Sequence, residues 1–134
     1  MNVRTLLAVY AVLIAVGGLF WLLAPAQFLG MYGIETPDYV AVLLGRFAGT
    51  MAVSFAVMAW LARDMPASPA RDTLVIGITL ANALGFAVCL PGALSGVFNA
   101  SAWVPVISYA VFTGLFAVVA RPDVMLRAAM APVP

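Results

Sequence analysis

The chain has 134 residues, 66% of them hydrophobic and only 8% charged, with a formal net charge of +1 and a mean hydropathy of +1.14. An ordinary soluble domain carries about 25% charged residues, so this chain lacks the means to cover a water-facing surface and reads as one bilayer-embedded unit. Its basic residues are six arginines, too few and too scattered for a nucleic-acid partner, which requires clustered Lys and Arg against phosphate.

The first apolar run, Thr5 to Ala24, has the roughly 20 residues that match a hydrocarbon core of about 30 Å. Arg4 before it and Ala24-Pro25-Ala26 after it imitate a secretory signal. The run outlasts the usual apolar region of such signals, about 7–15 residues, so we expect a retained helix stopped by Pro25. From Pro25 to Asp38 the breakers Gly30, Gly33 and Pro37 alternate with Phe28, Leu29, Met31, Tyr32 and Ile34. That mixture predicts an outer loop lying on the membrane surface or folded over the bundle mouth. Thr36 is the expected cap of the next helix, with Pro37 at its first position.

Tyr39 to Ala62 forms the second span and carries one full charge, Arg46. Arg63 to Asp72 is hydrophilic, and Pro66 and Pro69 forbid a continuous helix there. The third span, Thr73 to Leu94, meets Pro91, where a kink or an early end is expected. After a short uncharged turn, Ala102 to Ala120 is the fourth span, and Arg121 to Pro134 reads as a mixed tail that could form a short surface helix. The expected fold class is all-α, a four-helix transmembrane bundle within one domain.

Arg4, Arg63, Arg71, Arg121 and Arg127 fall on one side of this scheme, and Glu35 and Asp38 on the other. The positive-inside rule then predicts a multipass protein of the inner (plasma) membrane with both termini cytoplasmic. Trp21 and Trp103 at outer ends, with Trp60 near an inner end, suit an aromatic belt.

Helix association in lipid depends on close packing, so small residues mark candidate contact faces. The second span offers Gly45, Gly49, Ala52, Ala56 and Ala59, and the third offers Gly77, Ala81 and Gly85. Arg46 is the sharpest polar position, because a charge within the bilayer is costly. It either snorkels to the outer interface or pairs with Glu35 or Asp38, or else it faces an anionic headgroup, a substrate carboxylate or a partner's acid. Asn82, in mid-span, should find a hydrogen-bond partner across the bundle, such as Ser54, Ser108 or Thr113, with Tyr10 and Tyr109 as further hydroxyls. Cys89 reads as a small buried hydrophobe. No nucleophile–base pair, phosphate loop or dinucleotide fingerprint is present, so no catalytic residue is expected. With one Cys and no His, neither a metal site nor another cofactor is expected. All five acids lie outside the spans, which speaks against proton-coupled transport.

Tyr32-Gly33-Ile34 in the outer loop, followed by Leu44-Gly45-Arg46-Phe47-Ala48-Gly49, resembles small uncharacterised four-helix bacterial membrane proteins. The likeness covers mainly the first half and implies architecture rather than chemistry. The leading functional expectation is a non-enzymatic accessory subunit that docks to other membrane proteins or to itself. The alternative is a lipid- or hydrophobic-molecule-binding protein or carrier, with Arg46 on an anionic headgroup and Asn82 lining the cavity.

Overall fold

The structure, a computed structural model, describes the backbone of residues 2–130 and the side chains of residues 2–119. Its elements are α1 (Val3–Leu23), α2 (Pro25–Gly30), α3 (Tyr39–Ala62), α4 (Pro69–Leu94) and α5 (Trp103–Met130), with a 3-10 turn at Ala100–Ala102. Among the described residues four helices are long and apolar enough to cross a membrane, and these residues form an all-helical four-helix bundle.

Local chemistry sets the helix ends. Asn2 caps α1 by accepting a hydrogen bond from the Thr5 amide at 2.8 Å. The expected cap at Thr36 is corrected to Asp38, whose carboxylate accepts from the Ala41 amide at 2.7 Å. A carboxylate at that position also complements the helix dipole. Helix α4 starts four residues before Thr73, because Ser68 accepts from the Arg71 amide at 3.3 Å and Pro69 takes the first helical position, where no amide donor is needed. Pro91 does not stop α4, which continues to Leu94 and closes with the Ser95 amide on the Pro91 carbonyl. The outer segment contains the short helix α2 rather than an irregular loop throughout. Helix α5 runs on through the region read as a tail, and residues 131–134 lie outside the described residues.

The bundle consists of two antiparallel pairs, α1 with α3 and α4 with α5. In the first pair the backbones nearly touch. A methyl group on Gly49 would stand 2.5 Å from the Leu22 amide nitrogen and 2.8 Å from the Gly18 carbonyl oxygen. One on Gly18 would stand 2.9 Å from the Ala52 side chain, and one on Gly45 2.7 Å from the Trp21 ring. Glycine is what permits this approach, and the gain is dispersion along the seam. In the second pair, Gly85 makes room for the Tyr109 ring, with 2.8 Å to a would-be methyl group.

The two pairs join at the end that holds Arg4, Arg63 and Arg71, here called the arginine end. Leu6, Leu7, Tyr10, Ala59, Ala62, Val75, Ile78, Phe112 and Phe116 form the core there. Tyr10 meets Phe112 and Phe116 edge-on at 5.0 and 5.4 Å between ring centroids, contacts worth about 0.5–1.5 kcal/mol each beyond burial. At the opposite, loop end the connections carry Gly33 (φ +90°) and Gly96 (φ +72°), left-handed turns that glycine makes without strain.

Candidate functional site

Between the pairs, on the loop-end side of the core, lies a cavity of about 430 Å³. Trp21 and Ala48 line it from the α1–α3 pair, and Val88, Cys89, Ala93 and Tyr109 from the α4–α5 pair. Leu29, Tyr32 and Ile34, from α2 and the turn after it, close over it together with Phe98. Among the described residues, no charged side chain lines it. The lining residues that carry a polar side-chain group are Trp21, Tyr32, Cys89 and Tyr109. Cys89 is half-buried on the cavity wall rather than sealed in the core. Burial raises the pKa of the Tyr32 hydroxyl, and the neighbouring Cys89 and Tyr109 push the same way. Tyr32 therefore stays protonated, a neutral hydrogen-bond donor.

The roof is latched across the two pairs. Asn99 donates its side-chain amide to the Met31 carbonyl at 2.9 Å and its backbone amide to the Tyr32 carbonyl at 3.2 Å. Its side-chain oxygen accepts from the Ser101 amide at 2.9 Å. Phe28 is wedged between Trp21, 4.4 Å away, and Tyr32, 5.5 Å away between ring centroids, which ties the roof to α1.

One turn of α4 nearer the arginine end than Gly85, Asn82 is 1% exposed. It donates to the Ile78 carbonyl at 2.7 Å and to the Tyr10 hydroxyl at 3.3 Å. Its partner across the bundle is thus Tyr10 of α1. Ser54, Ser108 and Thr113, the other hydroxyls considered, bond back to carbonyls of their own helices. Asn82 pins the two pairs together beneath the cavity and does not line it.

The structure does not bring Arg46 to Glu35 or Asp38. The Asp38 carboxylate is engaged on its own helix, and both Arg46 and Glu35 are exposed with no ion pair among the described residues. Arg46 and Ala48 sit about 200° apart around α3, so the arginine points away from the cavity. Of the small residues, Gly45, Gly49 and Gly85 lie in close contacts inside the chain, whereas Gly77 has no atom within 4 Å of a would-be side chain. Ala56 is buried, while Ala52 and Ala81 are half-buried.

At the arginine end, Asp64 binds Arg4 at 2.9 Å and Arg63 at 3.0 Å. Arg63 also lies over the Trp60 ring, 3.3 Å from its centroid. The Arg63 hydrogen bond is the main reason that the Asp64 carboxyl is held below its ordinary pKa. Among the described residues, no three His, Cys, Asp or Glu side chains gather as a metal would need.

Sequence reasoning overlooked Asn99, and the residues it assigned to a cavity, Arg46 and Asn82, are not among those that line it. The signal for Asn99 was an asparagine, a good capping residue, shortly after Gly96. The cavity's own lining had no local signal, because Trp21, Ala48, Val88 and Tyr109 lie on four different helices. No curated protein and no solved structure matches the chain. Residues 1–121 match the family described as "Domain of unknown function (DUF8292)". That match spans nearly the whole chain, which therefore belongs to this family of uncharacterised proteins.

Proposed function

We propose that this chain is a non-enzymatic multipass protein of the plasma (inner) membrane that holds a neutral, largely apolar small molecule between its two helix pairs. The carrying observation is the uncharged cavity of about 430 Å³, within the range of about 300–1,000 Å³ typical of ligand pockets. Tyrosine hydroxyls at its edge supply directional hydrogen bonds for a polar head, and the apolar walls take the body. Because the Asn99 latch closes the loop end, the ligand enters sideways from the bilayer, where such molecules concentrate. Both termini are cytoplasmic in this reading. Arg4, Arg63 and Arg71 sit at one end and Glu35 and Asp38 at the other, in keeping with the positive-inside rule.

Docking as an accessory subunit is the second reading. It draws on Gly77, which is open to an outside helix. The glycines at 45, 49 and 85 are already in contact within the chain and are not offered to a partner, so cavity binding comes first.

The test is mass spectrometry of what co-purifies with the protein taken gently from its membrane. We expect one neutral molecule per chain, distinct from bulk phospholipid, and its loss in Ala93→Trp, which fills the cavity. An empty wild-type protein, or full retention by correctly folded Ala93→Trp, overturns the reading.

A further inference from the structure

On the back of the α1–α3 pair, away from the cavity, runs a shallow apolar groove of about 260 Å³. Val12, Ala15 and Leu19 form one wall, and Val53, Val57 and Leu61 the other. Arg46 stands two turns of α3 beyond Val53 toward the loop end, within about 20° of it around the helix. The guanidinium is exposed, and no acid or carbonyl among the described residues engages it.

An arginine on a bilayer-facing surface must reach a counter-anion, and its long apolar stem lets the head rise toward the interface. The interface offers phosphate, to which the planar guanidinium binds through two parallel hydrogen bonds. Distance fits as well. Gly45, beside Arg46, packs on Trp21 and Pro25 at the loop end of α1, so Arg46 is level with that end; Val53 and Val57 lie about 10 and 16 Å below it, and one leaflet of hydrocarbon is about 15 Å deep.

We propose that a phospholipid occupies this face, its phosphate on Arg46 and one acyl chain seated in the groove past Val53 to Val57. The site is separate from the cavity, so occupancy of one does not report on the other.

Native mass spectrometry of the full chain in mild detergent, titrated with phosphatidylglycerol, tests this. Wild type retains one phospholipid, and Arg46→Gln lowers occupancy by at least about fivefold, with Arg46→Lys between them. Val57→Trp, which fills the groove and keeps the charge, lowers occupancy to a similar degree. Arg4→Gln at the far end leaves it unchanged, and excess inorganic phosphate does not displace the lipid. Wild-type occupancy in both Arg46→Gln and Val57→Trp overturns the proposal. Displacement by inorganic phosphate, or loss with Arg46→Gln alone, reveals a bare anion site and overturns it too. A protein partner that leaves with Val57→Trp, in place of lipid, does the same. If Arg46→Gln fails to fold, Val57→Trp decides alone.

Discussion

At the arginine end, Leu6, Leu7, Phe112 and Phe116 fill the space between the helix pairs, whereas at the loop end Ala48, Gly92 and Ala93 face the same gap and leave it open. Both ends are tied across, but by different means. Packing and the Asn82–Tyr10 bond hold the first, and the second relies on hydrogen bonds from Asn99 to the backbone of the other connection. Small side chains therefore do two jobs in one molecule. Within the α1–α3 pair they bring backbones together, and between the pairs they keep volume free. Residue size alone does not distinguish these jobs; what faces the residue does.

The contrast can be broken most forcefully at Phe116, which is fully buried. Phe116→Ala should cost about 3–5 kcal/mol, the usual range for a large aromatic removed from a packed site. Val88→Ala, on the cavity wall and 76% exposed, should change stability by no more than about 0.5 kcal/mol. Denaturant unfolding in detergent micelles, followed by circular dichroism, measures both; equal losses would mean that the loop end is packed as tightly as the core.

Asn99→Ala sharpens the comparison. It removes the bonds to the Met31 carbonyl and the Ser101 amide, worth about 1 kcal/mol each. Hydrogen exchange should quicken around residues 96–102 and stay unchanged at the Phe112–Phe116 turn. Equal loss of protection at both places would show that the two ends open as one unit.

The smallest effect concerns pH at the arginine end. The pKa of Asp64 is lowered in the folded chain, chiefly by the Arg63 hydrogen bond. Its contribution is therefore complete above the ordinary carboxylate value and disappears as pH falls through the lowered one. The carboxylate is exposed, so water screens the pair and the change is slight. Asp64→Asn should flatten that acid limb of a stability–pH curve and leave the Asn99 region untouched. An acid limb that survives in Asp64→Asn would assign the dependence to another group.

Hydropathy made the four long helices legible, because a bilayer demands about 20 apolar residues per span and little else imitates that run. The start of α4 was misjudged for a physical reason. Arg71 and Asp72 look like loop residues, yet they occupy the first turn of a helix announced by Ser68-Pro69. The stripe at Gly45 and Gly49 was visible as a pattern, but Gly18, which meets Ala52 on the other side of the same seam, has no partner until the helices are placed. Gly77 follows the same spacing and contacts nothing, so spacing proposes faces without choosing among them. Arg46 stood out as a lone charge, and only the fold shows that it turns away from Ala48 and the cavity. Neither the cavity nor the reach of Asn99 across the bundle is local, so no window of sequence contains them.

The latch at Asn99 binds main-chain carbonyls of Met31 and Tyr32, not their side chains. Every amino acid supplies such a carbonyl. The residue at 31 is therefore free to drift over evolutionary time without unfastening the roof, while a replacement at 99 gives up the side-chain bonds and keeps only the backbone one to Tyr32. That asymmetry lets a lineage remodel the outer surface of the molecule and inherit the same roofed cavity beneath it.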